Sequence, residues 1–366
     1  MDNLKFDPWH YPRHALAKRY LDLFDMGLVA ARGVFAKRRM GKTEFFTKDL
    51  IPLAESTGYL TAYANLWEHR FDPARAVIDA LAGTLDPMGI TKPLNLPGAQ
   101  PKKSRSARKM GAGGSGKMEP ETFGAALADV LRRIDQDGRP LLLVIDETQV
   151  LGEAGHAGFT YALRTALDVR RENVKVIFAS STENTLRRMF ARSSEPFYNW
   201  APLEPFDLLG DDFVADMVRK VNDLTKFPLA VADAKQAYSS LQGTPAFFRC
   251  FLIQYLTHAQ LGPQAVLELT KAEVFNDIEF YNYWKSILPA DREILRMLAE
   301  GLTDLHSKAV RARLGTVLGL DVPVSLNTPQ QALRRLQADS VVARLDHGEY
   351  HFEDDAFAYW VGKLAA

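Results

Sequence analysis

A single cysteine, Cys250, stands in 366 residues, which excludes a disulfide framework and a cysteine-based zinc site. Net charge is absent too. The 45 Lys and Arg balance 45 Asp and Glu, so no global field draws the chain to nucleic acid or membrane, and any such surface has to be local. Long apolar runs are missing: the longest aliphatic stretch, Leu141 to Ile145, is far too short to span a bilayer. The opening Met1-Asp2-Asn3-Leu4-Lys5 lacks the apolar core of a signal peptide. The expectation is a soluble, reduced, cytoplasmic protein with no membrane partner. Its 47% hydrophobic content is enough to build two or three cored domains.

Helical spacing runs through Tyr11 to Gly27, a β-rich stretch covers Leu28 to Phe35, and a helix is predicted over Thr43 to Ser56. A second strand, Leu60 to Leu66, and a helix, Pro73 to Leu85, follow. Thr91 to Lys117 differs in kind, with seven basic residues, no acid, three prolines and a glycine tract. Such a composition cannot offset its chain entropy and reads as a flexible insertion. Beyond it come a helix (Glu121 to Gln136), the unbroken apolar strand Leu141 to Ile145, a helix near Gly158 to Arg171 and a strand, Val174 to Ala179. Strands alternating with helices imply a parallel sheet covered on both faces. After Pro205 four helices fit: Asp211 to Thr225, Ala230 to Leu241, Pro245 to Ala259 and Pro263 to Trp284. Three shorter ones, Asp291 to Glu300, Ser307 to Leu314 and Thr328 to Asp339, precede two short strands around Asp346-His347-Gly348. Three helices and a hairpin are the layout of a winged helix-turn-helix.

Between the first strand and its helix lies Ala36-Lys37-Arg38-Arg39-Met40-Gly41-Lys42-Thr43, a phosphate-binding loop with Ala in place of the first Gly. Backbone N–H groups of such a loop wrap a phosphate, and the next helix points its positive end at the same anion. Gly41 permits close approach, Lys42 reaches the β- and γ-oxygens, and Thr43 offers a hydroxyl to Mg²⁺. A second glycine loop, Gly111 to Lys117, has similar spacing. It ends in Met118, which cannot ligate magnesium, no strand feeds it, and Pro120 follows. The first loop is therefore taken as the site. About a hundred residues downstream, the strand Leu141 to Ile145 ends in Asp146 and Glu147. Asp146 would hold the magnesium water shell and Glu147 would polarise the attacking water. A helix start also favours acids, so an N-cap is the plainer alternative. The strand Val174 to Ala179 ends in Ser180-Ser181-Thr182, where Ser181, ahead of Ser180, is the candidate contact to the γ-phosphate; ordinary turn chemistry is the other reading.

These motifs, with Ala64-Asn65-Leu66-Trp67-Glu68 and Ile145-Asp146-Glu147-Thr148-Gln149, resemble the archaeal-type P-loop ATPases of the AAA+/STAND group. The Asp-Glu-x-Gln element is similar to that of Orc/Cdc6-like initiators and AAA+ regulators of transposition, and Tyr350 to Trp360 resembles the winged-helix end of such proteins. The resemblance implies an α/β fold: a three-layer P-loop NTPase core over residues 1–208 with 91–118 as the basic insertion, an all-α lid over 209–286, and a C-terminal winged helix-turn-helix over 287–366. It implies ATP and Mg²⁺ as cofactors, a homo-oligomer, and a protein partner or effector. It also implies an arginine near the γ-phosphate, for which Arg192 is the candidate over Arg187 and Arg188, and a lid arginine, Arg249, near the nucleotide.

DNA is the other partner to weigh. Ser307 to Arg344 holds six basic residues against Asp321 and Asp339. The third helix of this segment would expose Gln330, Gln331, Arg334 and Arg335, side chains able to read base edges, with Leu333, Leu336 and Val341 inward. Lys102 and Lys103 of the insertion would add phosphate contacts. The opposite reading makes the winged helix an internal clamp, and the acids between Glu349 and Asp355 favour it. The leading expectation is an ATP-hydrolysing, DNA-associated regulator or loader; the alternative is a signalling or defence switch with slow turnover. His347 and His351, like His10 and His14, lack a third ligand, so no metal is expected on them.

Overall fold

The computed structural model describes residues 7–85, 120–275, 278–344 and 350–365. Five strands form one parallel sheet: β1 (Ala31–Phe35), β2 (Leu60–Asn65), β3 (Leu141–Asp146), β4 (Val174–Ser180) and β5 (Leu203–Pro205), in the order β2-β3-β4-β1-β5. The three central strands are buried at every position, as a sheet covered on both faces requires, whereas edge strand β2 alternates buried and half-buried residues. Alternation sorts β3 by face. Leu141, Leu143 and Ile145 join a core with helices Pro73–Gly83, Pro120–Asp137 and Ala157–Asp168. Leu142 and Val144 join a second core with helix His14–Asp25 and the aromatic pair Phe45 and Phe46. Because all five strands run the same way, the ends of β1, β3 and β4 open on one edge of the sheet, with Phe35 beside Ser180 and Asn65 beside Asp146.

Strand β5 is an addition to the expected pattern. It is three residues long and ends in proline, so it pairs only as an edge, against β1. Gly33 makes room for it: a Cβ there would stand 2.3 Å from Leu203 Cδ2. The helix expected over Thr43 to Ser56 is also modified. It runs as α-helix Lys42–Phe45, a wider π turn Phe46–Leu50, and α-helix Ile51–Ser56. Pro52 has no N–H to return to the preceding turn, and the helix widens there.

Helices Asp211–Asn222, Val231–Ser240, Pro245–His258 and Pro263–Val274 share a third core built on Phe213, Phe248 and Phe251. The single helix expected over Pro263 to Trp284 is instead two, the second being Ile278–Ser286. The fourth core gathers this helix with Pro289–Ala299, Lys308–Val317 and Asn327–Ala338, the antiparallel pair β6 (Val342–Arg344) and β7 (Tyr350–Phe352), and the terminal helix Asp355–Ala365. Residues 91–118, with Lys102, Lys103 and the second glycine loop, lie outside the described residues, as does the turn Asp346-His347-Gly348. No helix among the described residues is long and apolar enough to cross a membrane.

Candidate nucleotide site

The loop after β1 and the tips of β3 and β4 meet, and they bring together residues more than a hundred positions apart. Gly41 closes the loop in the left-handed region (φ 83°), as does Arg39 (φ 68°), so the chain turns sharply into the helix that begins at Lys42. The Lys42 side chain folds back, its Nζ donating to the carbonyl oxygens of Ala36 at 2.6 Å and Lys37 at 3.3 Å. Burial pushes the Lys42 ammonium below its ordinary pKa, while Asp146 and Glu147 pull it back up. Thr43 Oγ1 donates to Asp146 Oδ2 at 2.7 Å, and Tyr63 Oη, from β2, donates to the same oxygen at 2.8 Å. Burial, and then the Asp146 charge, raise the Tyr63 phenol above its ordinary pKa, which keeps it a donor.

Glu147 follows in a left-handed conformation (φ 56°), a backbone state that costs a non-glycine residue about 1 kcal/mol or more. It turns the side chain off the strand and into the cleft. Its Oε2 accepts from Ser181 Oγ at 2.8 Å and from Gln149 Nε2. Ser181, buried at the tip of β4, thus faces the acidic pair, while Ser180 Oγ donates to Gln149 Oε1 and accepts from the Thr182 N–H.

A cavity of about 560 Å³ opens over the loop. Arg38, Arg39, Met40, Gly41, Lys42, Thr43 and Glu147 form its polar floor; Leu209, Phe213, Met217, Pro245 and Leu252 form an apolar wall from the helical layer; Trp9, His10 and Tyr11 border it from the N-terminal side. Arg38 lies over the Trp67 ring at 5.4 Å and Arg39 over the Phe247 ring of the helical layer at 5.1 Å. Arg249 lines the cavity and pairs with Asp7 at 3.5 Å. Lys48, hydrogen-bonded to Asp7, holds that carboxyl down at about 2. Asp49 is buried on the π turn and accepts from His10 Nε2 at 3.0 Å and from the Arg13 N–H at 3.1 Å.

Other candidates fall elsewhere. Arg192 follows helix Glu183–Ala191 and lines a separate surface cavity with Arg188 and Glu153, so it does not reach the loop of its own chain. On helix Asn327–Ala338, Gln330, Gln331 and Arg334 are exposed, and Ala332, Leu333 and Leu336 are buried, as their spacing predicts. Arg335 departs from expectation. Its guanidinium grips buried Asp291 through two hydrogen bonds of 2.6 and 3.0 Å, because a buried carboxylate requires a partner. Tyr63, Gln149, His10 and Asp49 were not foreseen. Gln149 alone had a signal, its place in Asp-Glu-x-Gln; the others act through partners remote in sequence.

The donor chemistry fits a magnesium ion. Thr43 and Asp146 offer a hydroxyl and a carboxylate, both hard oxygen donors, on one side of the cleft. Among the described residues no group of three or more His, Cys, Asp or Glu is placed to hold a metal ion.

No protein-family model matches the chain, and no curated protein matches it. Solved structures do. The Walker-type ATPase PABY2304 of Pyrococcus abyssi is 19% identical with a TM-score of 0.62, over 97% of this chain and 99% of that one. The ORC2 protein of Aeropyrum pernix, in its ADP form, is 14% identical with a TM-score of 0.59, over 100% of this chain and 96% of that one. Identity this low speaks of architecture alone. In architecture, and along nearly its whole length, this chain has the fold of the archaeal P-loop ATPases of the Walker and ORC type.

Proposed function

We propose that the chain binds ATP with Mg²⁺ in the cleft above the loop Ala36 to Thr43 and hydrolyses it. The observation that carries this reading is the meeting of Lys42, Thr43, Asp146, Glu147 and Ser181 at one edge of a parallel sheet, with Thr43 and Asp146 in direct contact at 2.7 Å. The apolar wall gives the base a dry surface, and the ADP form of the ORC2 structure supports a nucleotide as ligand. In this reading Lys42 leaves its two loop carbonyls for the phosphate oxygens. Loop N–H groups hold the β-phosphate, and Thr43 and Asp146 hold the ion. The bound Mg²⁺ supplies neutralising charge at the phosphates. Glu147 accepts a hydrogen bond from a water that adds to the γ-phosphorus as the bond to the β-phosphate oxygen breaks. ADP and inorganic phosphate leave. Ser181 orients this reaction from just beyond the end of β4, Arg249 approaches from the helical layer, and Arg192 is available to a neighbouring copy.

The C-terminal helices and hairpin form a winged helix in this proposal, with exposed Gln330, Gln331 and Arg334 turned to DNA. A second reading, a nucleotide switch clamped by its own C-terminal segment, has an observation in its favour. Glu353 is buried against the start of helix Glu183–Ala191, where its carboxyl meets the backbone N–H groups of Asn184 and Glu183, and Asp354 and Ala356 border the loop residues Lys37 to Arg39. ATP turnover with and without duplex DNA, at two salt concentrations, separates the two. A regulator acting on DNA is stimulated, with an effect that fades as salt rises. A clamped switch turns over slowly and ignores DNA. Glu147→Gln stops turnover while ATP stays bound in both; a Glu147→Gln protein as active as wild type would remove hydrolysis at this site altogether.

A further inference from the structure

Gln149 does not line the cleft, yet its side-chain amide is held by Glu147, which does, and by the strand-end hydroxyls of Ser180 and Ser181. Oε1 accepts from Ser180 Oγ at 2.8 Å. Nε2 donates to Ser181 Oγ at 3.0 Å and to Glu147 Oε2, and Ser181 Oγ donates in turn to that same Glu147 oxygen. Three side chains therefore close a ring: amide to hydroxyl, hydroxyl to carboxylate, amide to carboxylate. The orientation of the amide is enforced. Turned over, it would set its own carbonyl oxygen against the Glu147 carboxylate, an acceptor against an acceptor.

The backbone adds to the argument. Glu147 is left-handed, so the chain itself does not hold the side chain along the strand direction, and the position of the carboxylate rests on what grips it. The grip comes from Ser181, the residue after β4, and from Gln149 on the short turn Thr148–Gly152, which is anchored by Thr148 Oγ1 donating to the Ile145 carbonyl at 2.7 Å. A general base acts only from a fixed place.

We infer that Gln149 is a positioning residue for Glu147: its amide fixes the carboxylate and the strand-end hydroxyl of Ser181 as one unit. The inference rests on the hydrolytic role proposed for Glu147, and the test keeps the two apart. Single-turnover ATP hydrolysis, steady-state KM and kcat, and binding of a fluorescent ATP analogue are measured in the full chain with Mg²⁺. The proteins are wild type, Glu147→Gln, Gln149→Leu, Gln149→Glu and the double variant Glu147→Gln with Gln149→Leu. Gln149→Leu lowers kcat by about tenfold or more, with KM and analogue affinity within about twofold of wild type. Gln149→Glu, nearly the same size, sets a carboxylate against a carboxylate and lowers kcat at least as far. In the Glu147→Gln background the further change to Leu at 149 lowers the residual rate by less than about twofold, because its effect passes through Glu147. A merely structural amide would lower the rate equally in both backgrounds, or would weaken analogue binding and lower the melting temperature in step with the loss of turnover. Either result overturns the inference, as does a Gln149→Glu protein that turns over within twofold of wild type. Wild-type turnover that survives Glu147→Gln instead overturns the hydrolytic reading, and the role of Gln149 falls with it.

Discussion

In the loop cleft the charged groups face a shared space. Lys42, Asp146 and Glu147 have only hydroxyls, an amide and backbone carbonyls between them, and Lys42 rests on two carbonyl oxygens that a phosphate can replace. In the C-terminal helices the charges are matched to each other. Arg313 is divided between Glu293 and Glu300, and Arg335 is locked on Asp291. Of the six basic residues between Ser307 and Arg344, two are thus partly exposed but already paired struts. Charge type is written in the sequence, but whether a charge is available depends on what folds against it.

The comparison can be broken at its strongest point first. Lys42→Ala lowers ATP turnover by about a thousandfold, the scale for losing a preorganised charge at a transferring phosphoryl group. A loss under tenfold would mean the cleft charges are as inert as those of the C-terminal helices. Next is Glu353, which burial raises from 4.5 to about 7. A carboxyl raised on folding contributes stability that is fully present below its unfolded value and lost as pH rises through about 7. The shift corresponds to an amount on the order of 3 kcal/mol. Thermal melting from pH 4 to 8 (about the range that brackets both values) is therefore expected to show a fall that Glu353→Gln abolishes.

The strut prediction is smaller. Arg335→Ala leaves Asp291 buried and unpaired and costs about 2 kcal/mol of stability by denaturant midpoint, less than a fully buried pair because Arg335 is partly exposed. Its sequence neighbour gives the smallest effect. Arg334→Ala changes stability by less than about 0.5 kcal/mol, and if this helix meets DNA it reduces the slope of log affinity against log salt by about 1.

Much of the sheet and the loop was legible because each signal is contiguous. A phosphate loop needs eight adjacent residues, and a buried strand shows itself in five or six apolar ones. What escaped is short, or is decided by something far away. β5 is a Leu-Glu-Pro triplet whose strand character comes from lying beside Gly33. The π turn depends on how Pro52 sits in a helix that composition alone would draw as regular. Tyr63 carries no motif; it matters because β2 runs beside β3 and sets its hydroxyl on Asp146. Arg335 and Asp291 are 44 residues apart, and helical periodicity correctly placed Arg334 outward while giving no notice of the pair next to it.

The two arginines of the loop stack on aromatic rings from opposite sides, Arg38 on Trp67 and Arg39 on Phe247. An anion seated in the cleft would compete for both guanidiniums and so loosen the contacts to Trp67 and to Phe247. Trp67 is half exposed and carries a second cation, Arg70, over its ring at 5.0 Å. A change in tryptophan emission on titration with ATP, smaller in Trp67→Phe than in wild type because Trp9 also borders the cavity, would report that competition.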